Sequence, residues 1–174
     1  MFVVISGCSG GGKSTLIAEL ARRGYACVEE PGRRVVRNEL AAGGSALPWL
    51  DAEAFMHRVV ALALSDLAAA SESSGDVFFD RGLIDAVAGL HFVTGAATSA
   101  ACGHLHRYHR RIFLVPPWPQ IYATDTERRH DFTWAASEYR RLLDVYPSLG
   151  FEPANLPKIG VSERADFVLQ ALAH

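Results

Sequence analysis

The residues best equipped for chemistry stand near the start of the chain. Gly7-Cys8-Ser9-Gly10-Gly11-Gly12-Lys13-Ser14 fits the spacing G-x-x-x-x-G-K-[ST], followed by Thr15. Gly7, Gly10, Gly11 and Gly12 let backbone N–H groups curl around a phosphate where a Cβ would obstruct. Lys13 brings a mobile positive charge to the β- and γ-phosphates, and the Ser14 hydroxyl is sized to ligate Mg²⁺. The helix beginning near Ser14 and Thr15 turns its positive end to the same phosphates. This chemistry is the binding of a nucleoside triphosphate, ATP or GTP, with Mg²⁺.

Other groups are placed to act on that triphosphate. Asp80-Arg81 ends an apolar run. An acid at a strand end beside a phosphate loop can complete the Mg²⁺ shell or take the proton of an attacking hydroxyl. Arg81 is then expected to contact a phosphate or an acidic substrate group. Glu30-Pro31-Gly32-Arg33 ends a second short run, with Glu30 as the competing base and Arg33 as an acceptor clamp. Asp125, Glu127, Arg128 and Arg129 fall in a charged stretch that reads as a loop or lid. An arginine folding from it, taken as Arg128, would stabilise transition-state charge. Trp118 follows a strand end and can stack on a base or acceptor ring; Trp49 and Trp134 read as packing residues. His104-x-His106-x-x-His109 lacks the accompanying ligands of a metal site and reads as a surface helix.

Regular elements must position these groups. Phe2 to Ile5 is an apolar, β-branched run, as for a strand buried on both faces. Leu16, Ile17, Leu20 and Ala21 then recur at helical spacing. Further strands are expected at Tyr25–Val28, Val77–Phe79, Ile112–Val115 and Phe151–Leu156. Helices are expected at Val35–Leu40, Ala52–Ala70 (capped by Asp51), Leu83–Val93, Cys102–Arg110, Phe132–Tyr146 and from Ser162 as a cap through Leu172. Pro31 and Gly32 read as a strand stop. Strands alternating with helices predict an α/β three-layer fold, a parallel five-stranded sheet with helices on both faces.

Composition narrows the functional classes. The chain has 174 residues, 49% hydrophobic and 21% charged, a globular balance that favours one domain over residues 1–174. A net charge of -2 argues against extended nucleic-acid binding. No apolar run approaches the ~20 residues of a membrane span. The first residues lack the basic region of a signal peptide. Three scattered cysteines suggest no disulfide framework, so a cytoplasmic setting is expected.

Taken together these motifs resemble a family. The phosphate loop, Glu30-Pro31-Gly32-Arg33-Arg34, Leu47-Pro48-Trp49-x-Asp51 and Phe79-Asp80-Arg81-Gly82 are similar to the small "AAA family ATPase" P-loop domains. So are Pro116-Pro117-Trp118-x-x-Ile121-Tyr122-x-x-Asp125-x-Glu127-Arg128 and Leu156-Pro157-x-x-x-Val161-x-x-Arg164-x-x-Phe167. The family is similar to the kinase domain that phosphorylates ribosylnicotinamide, to a domain reported to bind GTP and phosphoinositides, and more distantly to deoxynucleoside kinases. The resemblance implies a nucleotide-kinase-like P-loop fold, with a strand-two glutamate as base and the loop Pro157–Val161 near the nucleotide base. Asp80 is followed by Arg81, not by the water-activating Glu of a mechanochemical ATPase. Transfer of the γ-phosphate from MgATP to a small, nucleoside-like hydroxyl is therefore the expected activity. The alternative is an ATPase or GTPase acting as a nucleotide-switched binder of a protein or lipid. The acceptor, the choice of ATP over GTP and the oligomeric state are left open.

Overall fold

Five short apolar runs form the strands of one sheet in a computed structural model that describes residues 1–95, 102–122 and 131–173. They are β1 (Phe2–Gly7), β2 (Ala26–Val28), β3 (Val77–Asp80), β4 (Arg111–Val115) and β5 (Glu152–Asn155). All pair in parallel, in the order β2-β3-β1-β4-β5. Among the described residues, six α-helices accompany them: α1 (Lys13–Arg22), α2 (Pro31–Ala42), α3 (Ala52–Ala70), α4 (Leu83–Thr94), α5 (Phe132–Ser148) and α6 (Val161–Leu172).

The period-two alternation of the strands sorts the core into two layers. Val3, Ile5, Phe78, Phe113 and Val115 pack with Leu16 and Leu20 of α1 and Ala165 and Val168 of α6. Val4, Phe79, Ile112 and Leu114 face the other way, onto Leu67 of α3, Leu83 of α4 and Leu142 and Tyr146 of α5. The central strand is buried on both faces, which is why Val3, Val4 and Ile5 form an unbroken apolar run. Each large side chain so buried contributes roughly 1.5–3 kcal/mol. The expected three-layer parallel fold is thus the observed one. No helix among the described residues is long and apolar enough to cross a membrane.

Several boundaries differ from expectation. Pro31 does end the β2 segment, but it also opens α2, twelve residues long, rather than preceding a short helix at Val35. Proline suits a first helical position because its missing N–H has no partner there. Glu30 is therefore a helix N-cap position as well as a strand-end residue. The segment around His104 is a single 3-10 turn, Leu105–Arg107, after which Tyr108 bridges to Phe2. Its histidines go to local backbone: His106 Nδ1 lies 2.8 Å from the Gly103 carbonyl, and the Arg111 N–H donates to His109 Nδ1 at 3.1 Å. Helix α6 starts at Val161 with Gly160 at the cap, where the Gly160 N–H donates to Glu163. Ser162 instead accepts from Arg23 of α1. Asp51 does cap α3, accepting from the Ala54 N–H at 2.9 Å.

Candidate active site

The phosphate loop leaves β1 through a backbone shape that only glycine adopts easily. Gly7 has φ +106°, and a Cβ there would lie 2.4 Å from the Val115 carbonyl oxygen. The loop is thereby pressed against the end of β4, and the Cys8 N–H donates to Val115 O at 2.9 Å. At the other end Gly12, φ +83°, caps α1 without any side-chain cap. The first-turn N–H groups of α1 are thus left to whatever anion occupies the loop.

Lys13, the first residue of α1, is buried, and its ammonium donates to the Cys8 carbonyl at 2.9 Å. Burial lowers its pKa, and the nearby Arg81 lowers it further, opposed by Asp80, Glu30 and Glu138. The next residue, Ser14, donates through Oγ to Asp80 Oδ2 at 3.1 Å. Asp80 closes β3 and sits opposite Ile5 in the β1–β3 register, which is how two distant motifs meet. Burial and the negative charge of Glu30 push its carboxyl up to about 6, with Lys13, Arg81 and the Ser14 hydroxyl pulling the other way. Asp80 Oδ1 is buried and has no hydrogen-bond partner among the described residues. A hard cation held by a hydroxyl and a carboxylate is what this pair fits, so Ser14 and Asp80 suit Mg²⁺.

Arg81 is the only non-glycine residue with positive φ among those described, at +61°. Such a conformation costs about 1–2 kcal/mol and persists where its surroundings over-determine it. Here they do. Its guanidinium donates to Gly7 O at 3.0 Å and to Glu138 Oε2 at 3.2 Å. It also lies 3.1 Å from Glu138 Oε1, 3.3 Å from Asp85 Oδ1 and 3.5 Å from Glu30 Oε1. Asp85 is fixed in turn by hydrogen bonds from Ser6 Oγ and, at 2.8 Å, from Tyr146 OH. Burial raises the Asp85 pKa, while Arg81 and these two hydroxyls lower it.

Most of the sequence candidates therefore converge. Gly7, Gly10, Gly11, Gly12, Lys13, Ser14 and Thr15 form the loop and helix start, with Asp80, Arg81 and Glu30 beside them. Arg33 lies at the edge, its Nε 3.6 Å from Glu30 Oε2. Trp118 is half-buried and lies under the Arg164 guanidinium, 5.6 Å from its ring centre. Arg128 and its neighbours Asp125, Glu127 and Arg129 lie outside the described residues. Three site residues carried no assigned role in the sequence reading: Asp85, Glu138 and Arg164. Arg164 is buried on α6, with Nη1 3.4 Å from Gly11 O and close against Gly12. Glu138 gave one faint signal, an acid in a helix directly after a charged stretch. Asp85 gave another, an acid one turn into a helix that is otherwise apolar on nearly every side.

Comparison with known proteins agrees with this geometry. A family model described as an AAA domain matches residues 2–164. No curated protein matches the chain. Among solved structures the fold is similar to a deoxyadenosine kinase from M. mycoides, with a TM-score of 0.68 at 13% identity, covering 99% of both chains. It is also similar to a shikimate kinase from Acinetobacter baumannii, with a TM-score of 0.61 at 15% identity, covering 99% of this chain and 92% of that one. A thymidylate kinase from Ehrlichia chaffeensis matches with a TM-score of 0.60 at 17% identity, covering 99% and 98%.

Proposed function

The chain belongs to the AAA domain family, and from that premise we propose that it is a phosphotransferase moving the γ-phosphoryl group of MgATP to a hydroxyl of a small, nucleoside-like molecule. The observation that carries this reading is the pairing of Ser14 with Asp80 beside Lys13, with Asp80 Oδ1 left open. Residues 1–174 are read as one unit, since both core layers share one sheet.

In this reading the loop N–H groups and Lys13 hold the β- and γ-phosphates, and Ser14 and Asp80 hold Mg²⁺. The metal, when bound, offsets the negative charge shared by the β- and γ-phosphates. Asp80 is deeply buried and tied to Ser14, whereas Glu30 keeps 22% of its side chain exposed. Glu30 is thus the better placed to meet an acceptor hydroxyl and take its proton. The acceptor oxygen bonds to the γ-phosphorus. The bond from that phosphorus to the β–γ bridging oxygen breaks, and its electron pair leaves on ADP. Arg81 and Arg33 border the acceptor side, Trp118 and Arg164 border the nucleotide side, and Arg128 closes from the lid. Catalysis of this kind is positioning and electrostatics, with little covalent chemistry for the protein to perform. A deoxyadenosine kinase among the structural neighbours supports a nucleoside-like acceptor.

The test is incubation with γ-labelled ATP and a pool of nucleosides, sugars and vitamin precursors. A labelled small molecule is expected, together with its loss in Lys13→Ala at unchanged circular dichroism. Full activity in that variant would sink the reading, as would free phosphate with no labelled acceptor.

A further inference from the structure

Arg81 has the sequence signature of a residue that grips an anion, yet its donors are already spent within the protein. One Nη serves Gly7 O and Glu138 Oε2; the other lies against Asp85 and Glu138 Oε1; Nε faces Glu30. The neighbouring arginines are engaged as well. Arg33 lies against the second oxygen of Glu30. Arg34 is held by both oxygens of Asp66, at 2.8 and 2.7 Å. Arg37 donates to Glu29 at 2.7 Å. Arg141 is turned to the Ala88 carbonyl and the Phe92 ring. Lys13 and Asp80 belong to the nucleotide and its metal. What remains around the acceptor is three carboxylates, Glu30, Asp85 and Glu138, against two guanidiniums, Arg33 and Arg81. Asp85 is sealed by Ser6 and Tyr146, while Glu30 and Glu138 keep 22% and 13% of their side chains open. A second feature points to a ligand at this place: Asp80 Oδ1, fully enclosed, has no partner among the described residues.

We propose that the acceptor end of this site takes an uncharged or cationic polyhydroxylated molecule and rejects anionic ones, with Glu138 as the carboxylate that receives a second hydroxyl of the acceptor. The proposal rests on the phosphotransferase reading above and adds to it a substrate class and a binding residue. Ionised carboxylates are acceptors only, so the open edges of Glu30 and Glu138 match O–H or N–H donors. A phosphate or carboxylate on the acceptor would instead be set beside two acids, with no guanidinium near them that is not already paired. Like charges so juxtaposed are strongly unfavourable. Arg81 acts here as the brace that aims both glutamates.

Matched acceptor pairs test this with wild-type protein and MgATP: a nucleoside against its 5′-monophosphate, and a neutral sugar and an amino sugar against the corresponding sugar acid. The neutral or cationic members are expected to show kcat/KM higher by about a hundredfold or more. Preference for a monophosphate or an acid overturns the proposal while leaving the phosphotransferase reading intact. Release of phosphate with no acceptor labelled removes both. Glu138→Gln is expected to raise the acceptor KM about tenfold with the KM for ATP unchanged. The same change should narrow the discrimination against the monophosphate, because it removes one of the two repelling acids and one of the carboxylates holding Arg81. Glu138→Asp should restore part of the discrimination. An unchanged acceptor KM accompanied by a lower Tm would assign Glu138 a purely structural role and refute the proposal. If Glu138→Gln does not fold, the matched pairs on wild-type protein decide.

Discussion

Asp80→Asn should stabilise the ligand-free protein, and by an amount that depends on pH. The ordinary carboxyl value of 3.8 is raised to about 6 at this position, first by burial and then by Glu30. Between about pH 4 and pH 6 the folded protein keeps a proton that the unfolded chain has released. Stability therefore falls as pH rises through that window and levels off above it. The displacement of roughly two units corresponds to about 3 kcal/mol at most. Asparagine has nearly the same shape, can still accept from Ser14 Oγ, and never ionises. The two proteins should be equally stable near pH 4, and the variant more stable by about 3 kcal/mol at pH 8. Urea denaturation of both across this range is the assay, since titration of the other carboxylates cancels in the difference. Saturating MgATP should reverse the order at pH 8. A ligand at a hundred times its Kd adds about 2.7 kcal/mol to the protein that binds it. A stability gap that does not change with pH, or a variant less stable at pH 8 without ligand, would refute the reasoning.

Glu30→Gln should lower kcat by about 10²–10⁴-fold, the range of a lost general base, with ATP affinity unchanged by equilibrium binding. Equal loss in both would place Glu30 on the nucleotide instead. Tyr146→Phe removes a hydrogen bond to the buried Asp85 carboxylate and should cost about 1–3 kcal/mol in denaturant unfolding. No measurable change would mean that the Asp85 cluster does not need that hydroxyl.

The parts of this site legible in the sequence were those set by local spacing. The phosphate loop, the strand before it and the acid at the end of β3 all follow from runs shorter than ten residues. Asp51 was readable as a cap because the cap and the N–H it satisfies are three residues apart. Glu138, Asp85 and Arg164 were not readable as site residues, for a tertiary reason. Which face of α5 or α6 meets the loop depends on how those helices lie on the sheet. Helix α5 places Glu138 one turn from Leu142, and Leu142 goes into the core while Glu138 reaches Arg81. An acid at that position looks like any solvated helix residue until the packing is known. Arg81 shows the reverse error. Its strand-end position was correctly read, but its type suggested a free cation, and three acids distant in sequence or on the next turn have claimed it. Pro31 illustrates a local ambiguity: the same residue ends a strand and opens a helix, and only the pairing of β2 with β3 fixes where one stops.

The contact between Arg164 and the Gly11–Gly12 turn has a consequence for how the molecule comes into being. Residues joined there stand some 150 positions apart, at |i−j| = 153 for Gly11. The apolar face of α1, Leu16 and Leu20, likewise rests on Ala165 and Val168. During synthesis the phosphate loop emerges first and waits for the last helix before it is braced. Such sequence-distant closure is slow to form, because the entropy of ordering the intervening chain is lost before the contact is gained. For most of its time on the ribosome, the nascent chain would display an amphipathic α1 with its apolar side uncovered. That is the interval in which a growing chain is most exposed to wrong association.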